Sequence, residues 1–226
     1  IIKILIKKGA NINAVDKSGY TPLHYTAANG YTNAAEELLK NGVIVSVIDH
    51  VDFSPLQVAI SHGHASTVKV LLKHEGTNII NIPDDVGWTF LHYAAFYGSA
   101  DTANVLLEKG ANVDAIDRIG LTPLSMAVSK LNPDAAKVII RHMVEVNSPK
   151  PENLRGESYI EYWNSCANEI QKMKKRMIPK MAYNNKLSLH EIIYADGINK
   201  ITTSAINGMN LERIKNDYPI YGDRFI

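Results

Sequence analysis

Apolar pairs return along the chain at nearly even intervals. Leu38-Leu39, Leu71-Leu72, Leu106-Leu107 and Ile139-Ile140 begin 33, 35 and 33 residues apart. Each pair predicts a helix with one buried face. Seventeen residues before each pair, a second, shorter apolar segment opens in the same order every time. The four openings are Gly19-Tyr-Thr-Pro-Leu-His24, Asp52-Phe-Ser-Pro-Leu-Gln57, Gly87-Trp-Thr-Phe-Leu-His92 and Gly120-Leu-Thr-Pro-Leu-Ser125. The pattern predicts a repeating unit of short helix, turn, second helix and extended arm. Gly30, Gly63 and Gly98 end first helices, Gly42 and Gly110 end second ones, and Gly9 ends a truncated helix at the start. The two-residue excess between the second and third units predicts a longer loop over Glu75 to Asp85.

The residue types at each opening have physical reasons. Thr21, Ser54, Thr89 and Thr122 can cap a helix by accepting from its free backbone N–H groups. Pro22, Pro55 and Pro123 follow at the first helical position, where a missing N–H costs nothing; Phe90 stands there in the third unit. Leu23, Leu56, Leu91 and Leu124 point inward, and small residues such as Ala27, Ala59, Ala94 and Ala127 let the helices approach closely. Thr-Pro-Leu-His recurring at a period near 33 resembles the ankyrin repeat. The fold expected is all-α: an ankyrin-repeat solenoid of helix pairs with short β-hairpin arms, followed by a small helical C-terminal domain. Residues 1–147 read as the tail of one repeat plus four more, 148–156 as a linker, and 157–226 as the C-terminal segment.

Stacked repeats bury one another's apolar faces and form an elongated body with a concave side suited to gripping a macromolecule. Two columns are not dictated by the packing of one repeat. The residue before each cap reads Tyr20, Phe53, Trp88 and Leu121; the residue after the His position reads Tyr25, Val58, Tyr93 and Met126. The resemblance implies that both columns face the concave surface, where Phe96 and Tyr97 extend the patch. Clustered exposed aromatics are typical of protein interfaces. The partner-binding residues expected are therefore Tyr20, Tyr25, Phe53, Trp88, Tyr93, Phe96, Tyr97 and Met126. By the same resemblance His24 and His92 are structural, their rings hydrogen-bonding between adjacent turns. His62 and His64 flank a helix end and read as turn residues.

The pattern fails after Val146. Ser148-Pro-Lys-Pro-Glu-Asn-Leu-Arg-Gly156 reads as a linker. A helix from Glu157 to Met177 follows, with Pro179 expected to stop it. Ser188 caps a further helix, with Glu191 completing a capping box, and a short helix is expected over Leu211 to Asn216. Cys166-Ala-Asn-Glu-Ile-Gln-Lys-Met-Lys174, Ser188-Leu-His-Glu-Ile192 and Tyr218-Pro-Ile-Tyr-Gly222 resemble the start of a PRANC domain, which follows ankyrin repeats in poxvirus, parasitoid-wasp and endosymbiont proteins. That resemblance implies a substrate-recognition part of an F-box-like ubiquitin-ligase adaptor, docking on a subunit of a cullin–RING ligase. The F-box-like helices of that family open with Leu-Pro, a pair this sequence lacks, so no ligase-contact residue is carried over. The alternative is a stand-alone ankyrin decoy that occupies a signalling factor such as NF-κB.

Composition narrows the chemistry. The 226 residues are 46% hydrophobic and 21% charged, as in ordinary globular proteins. The net charge of +1 gives no pull towards nucleic acid, and no apolar run is long enough to span a bilayer. Residues 1–147 carry 12 Lys/Arg and 14 Asp/Glu, whereas 148–226 carry 12 and 9. The basic run Lys172 to Arg176 reads either as a nuclear signal or as a solvated face near a helix C-terminus. The single cysteine, Cys166, excludes an internal disulfide and fits a reducing compartment, the cytoplasm. Among Trp163, Ile170 and Met173 it reads as a small core residue. No phosphate loop, serine elbow or metal-ligand cluster points to an enzyme, a cofactor or a metal.

Overall fold

The computed structural model describes residues 2–184 apart from 153 and 155, with side chains to residue 173. The expected helix at Ser188, the short helix over 211–216 and the Tyr-Pro-Ile-Tyr-Gly stretch ending at Gly222 lie outside the described residues.

Every repeat unit folds as a helix pair. The first helices are α2 (Pro22–Ala28), α4 (Pro55–Ser61), α6 (Phe90–Tyr97) and α8 (Pro123–Ser129); the second are α3 (Thr32–Lys40), α5 (Ala65–Glu75), α7 (Ala100–Glu108) and α9 (Pro133–Glu145). The tail of the preceding unit is α1 (Ile2–Lys7). First helices pack on first helices and second on second, giving two layers with the core between them. Leu23, Leu56, Leu91 and Leu124 are buried there, together with the apolar pairs of the second helices. Seven to thirteen residues per repeat helix is too short for independent stability, so packing holds these helices in place.

Polar side chains fix the register between units. His24 and His92 do so from the first helices. The Thr21 N–H donates to Nδ1 of His24 at 3.1 Å. Nδ1 is thereby an acceptor, which places the ring proton on Nε2, and Nε2–H reaches the carbonyl of Phe53 in the next arm at 3.0 Å. His92 repeats the arrangement with Thr89 and the Leu121 carbonyl. Burial holds both imidazoles below the ordinary histidine range. His64 reaches the Ala28 carbonyl at 3.0 Å, and Asn132 donates to the carbonyls of Ala95 and Phe96 at 2.9 and 2.8 Å.

Three expectations are corrected. The two extra residues do not form a longer loop: they lengthen α5 to 11 residues, against 9 in α3 and α7. A helix absorbs them because each added residue gains a backbone hydrogen bond, whereas a looser loop gains none. The arms are not β-hairpins, since no strand occurs among the described residues. Each arm closes with two backbone bonds, such as Asp16 N to Tyr20 O at 3.0 Å and Gly19 N to Asp16 O at 3.1 Å, and two further amides turn to the aspartate side chain instead of a ladder. Nor does Pro179 stop the last helix, because α10 (Glu157–Asn184) continues through it. An interior proline costs about 3 kcal/mol but forfeits only one helical N–H. The basic run Lys172 to Arg176 therefore lies in the body of α10 and not in its last turn.

The end of the stack is covered. α10 packs on α9, with Trp163 and Cys166 buried and Tyr159 and Tyr162 partly so against the core. Ile139, Ile140 and Met143 of α9, which would otherwise face water, are buried. The segment before α10 lies along α8, where Pro151 and Leu154 line a pocket with Leu121 and Val128.

Candidate functional site

Four aspartates build the face that carries the aromatic columns. One Oδ1 in each arm accepts from the amides two and four residues on. Asp16 takes Ser18 and Tyr20, Asp49 takes Val51 and Phe53, Asp84 takes Val86 and Trp88, and Asp117 takes Ile119 and Leu121, all at 2.8–3.0 Å. The residue before each cap is thus fixed by a carboxylate four positions upstream. These aspartates were not among the expected site residues, although their spacing was visible in the sequence as an Asp four places before Tyr20, Phe53, Trp88 and Leu121.

Adjacent arms touch through their backbones. Gly19 (φ 83°) and Gly87 (φ 88°) adopt the left-handed conformation at the contact. A Cβ at Gly19 would lie 2.9 Å from Asp49 Cα, and one at Gly87 would lie 2.8 Å from the Arg118 amide. Only glycine meets both demands. The His50 amide donates to the Ser18 carbonyl at 3.1 Å, and the Arg118 amide to the Val86 carbonyl at 3.2 Å.

The expected site residues fall into two groups. In the first, the Tyr20 ring stacks on His24 at 5.2 Å and meets Tyr25 edge-on at 5.4 Å. The Tyr25 hydroxyl donates to Asp16 Oδ2 at 2.6 Å. That bond raises the phenol's pKa and lowers the carboxyl's. In the second group, Phe53, Tyr93, Trp88, Phe96 and Tyr97 form an unbroken chain of rings with centroids 5.0–5.4 Å apart. The Lys130 ammonium stands 4.4 Å over Phe96. The Trp88 indole donates to Asp117 Oδ2 at 3.3 Å. Met126 joins neither group.

The column after the His position is not an exposed one. Tyr25 is 50% exposed, but Val58, Tyr93 and Met126 are 1%, 8% and 2% exposed. The cause is the preceding repeat. Tyr93 meets Phe53 edge-on, a ring supplied by the arm before α4, and α4 and α8, which carry Val58 and Met126, likewise have a first helix, α2 and α6 respectively, packed before them. Tyr25, on α2, keeps half of its surface. Tyr93 and Met126 are therefore parts of the core under the face. Trp88, Phe96, Phe53 and Tyr20 are half-buried, and Tyr97 is exposed.

The ankyrin-repeat family model matches residues 1–84, 47–117 and 74–150. An ankyrin repeat protein of Acanthamoeba polyphaga mimivirus is 24% identical over 219 residues, 96% of this chain and 24% of its own length. Ankyrin repeat and SOCS box protein 3 of Bos taurus is 49% identical over 41 residues, 18% of this chain and 8% of its own. Neurogenic locus notch homolog protein 1 of Homo sapiens is 38% identical over 69 residues, 30% of this chain and 3% of its own. The chain spans a quarter or less of the length of these curated relatives.

Proposed function

We propose that this chain, which belongs to the ankyrin-repeat family, holds a partner protein on the ring cluster of its third repeat. Ankyrin repeats are a protein–protein interaction scaffold. Among the described residues, no helix is long and apolar enough to cross a membrane. The observation that carries the reading is the chain of rings from Phe53 to Tyr97, rigid beneath and open above. The buried Tyr93 holds Trp88 in place, Trp88 packs on Phe96, and Tyr97 beside Phe96 is half-exposed to solvent. Preorganised aromatics lose little conformational entropy on binding, which is why they dominate interface energetics.

In the finer reading, the bound protein is a substrate and the chain is the recognition part of an F-box-like ubiquitin-ligase adaptor acting in the cytoplasm. The run Cys166 to Lys174, with its likeness to the start of a PRANC domain, supports it. The name of the bovine relative likewise joins ankyrin repeats to a separate box element. The competing reading is a decoy that occupies a signalling factor such as NF-κB without any ligase.

Affinity capture from cytosol with the chain and with a Trp88→Ala/Tyr97→Ala variant tests both levels. A protein held by the wild type and lost with the variant supports the ring cluster as the binding face. A cullin–RING ligase subunit in the same capture supports the adaptor; a signalling factor with no ligase subunit supports the decoy. Equal capture by both proteins would overturn the assignment of the face.

A further inference from the structure

The second carboxylate oxygen of each arm aspartate distinguishes one repeat from the others. Asp16 Oδ2 accepts from Tyr25 and Asp84 Oδ2 from Tyr93, each a phenol nine residues on. Asp117 Oδ2 accepts from Trp88, the ring of the arm before it. Asp49 has neither donor. Val58 stands where Tyr25 and Tyr93 stand, and Tyr20 stands where Trp88 stands, 29 residues before the aspartate in both cases. The Tyr20 ring has no N–H at the place of the indole's. Asp49 is 4% exposed, and its Oδ2 is buried without a hydrogen-bond partner. A buried carboxylate oxygen left so is costly and uncommon in a folded protein.

That aspartate borders a pocket of about 470 Å³ between the tips of the first two arms, lined also by Asp16, Tyr20, Tyr25, Lys17 and His50. Its walls are backbone held together by the His50–Ser18 bond and the close approach at Gly19. Two carboxylates and two phenol rings make its interior receptive to a cation. Their field is felt by Tyr20, whose pKa is raised by burial and then by Asp49 and Asp16. Among the described residues no ion pair joins Lys17 or His50 to either carboxylate.

We propose that this pocket receives an arginine or lysine side chain of the partner protein, whose N–H groups supply the donor that Asp49 Oδ2 lacks. The rings of Tyr20 and Tyr25 flank the cation, and Asp16 balances its charge at the rim. The inference rests on the protein-binding reading above and adds to it the chemistry of one anchor. That anchor lies apart from the ring cluster of the third repeat.

The test uses the whole chain and two small probes, N-acetyl-arginine amide and its uncharged analogue N-acetyl-citrulline amide. The amide resonances of Val51 and Phe53, both bonded to Asp49, report occupancy. Arginine amide should shift them saturably and citrulline amide should not. Asp49→Asn, which keeps the Oδ1 acceptor of the arm, should weaken the response about tenfold or more. Tyr20→Trp places an indole where Trp88 has one, so it should fill Oδ2 internally, raise stability and also abolish the response. Equal shifts with both probes, no shift with arginine amide, or an unchanged response in both variants would overturn the proposal. Partner capture separates the two levels. Capture unaffected by Asp49→Asn but lost with Trp88→Ala/Tyr97→Ala sinks the anchor and leaves protein binding intact. A saturable arginine response with no protein captured at all sinks the partner-protein reading and with it the stated occupant, leaving only the pocket's affinity for the cation.

Discussion

Asp84 and Tyr93 are joined by a hydrogen bond, phenol oxygen to Oδ2 at 2.5 Å, that ties the arm of the third repeat to its own first helix. The bond is largely shielded, and the phenol's pKa is raised first by burial and then by this carboxylate. It sits beneath Trp88 and Phe53, so the face and the fold share one support.

Tyr93→Phe keeps the ring and removes only the donor. Asp84 Oδ2 is then left in the partner-less state of Asp49, at a cost of about 1–3 kcal/mol. Urea unfolding followed by circular dichroism should show the unfolding free energy fall by that amount. An unchanged midpoint would mean that water replaces the phenol freely.

Glu75 ends the lengthened helix α5, and burial pushes its carboxyl up to about 7. Its Oε1 has no hydrogen-bond partner. The folded state therefore holds this proton more tightly than the unfolded chain does. Its contribution to stability is complete below the unfolded value of 4.5 and is lost as pH rises through about 7. His24, His92 and His142, held low by burial, act in the opposite sense: they favour the fold above 6.5 and withdraw that support as pH falls. Glu75→Gln removes the first effect only. Between pH 5 and 8 the variant should gain about 1–2 kcal/mol over wild type, the figure being reduced for partial solvent screening. A difference independent of pH across that interval would show that Glu75 is ionised in the fold.

Trp163 is the largest side chain that α10 inserts against the stack, and it is 7% exposed. Trp163→Ala should cost about 3–5 kcal/mol and uncover the apolar end at Ile139 and Ile140. Light scattering on warming should then report association at a lower temperature than wild type. If thermal behaviour is unchanged, α10 is not a cap.

Asp52 occupies the left-handed tip position (φ 62°) that Gly19, Gly87 and Gly120 fill in the other arms. Asp52→Gly relieves the side chain's steric penalty there, partly offset by greater freedom in the unfolded chain. A gain of about 0.5 kcal/mol is expected in the unfolding free energy. A loss would indicate that the Asp52 side chain does more than tolerate its backbone.

What the sequence determined by itself is what a single repeat can state about itself. The caps at Thr21, Ser54 and Thr122, the inward leucines, the helix-ending glycines and the paired apolar residues all act over a few positions within one unit. Their period names the architecture, and the structural role of His24 and His92 follows from it. The tertiary structure decided what depends on the unit next door. Val58 and Met126 are buried because a first helix packs before α4 and before α8. The two surplus residues went into α5 because there they gained hydrogen bonds, a choice that spacing alone leaves open. Asp49 differs from its three counterparts only through Val58 and Tyr20, one on the following helix and one on the preceding arm. No reading of that aspartate by itself could find its unpaired oxygen, because a hydrogen bond belongs to two residues and the chain order gives only one of them.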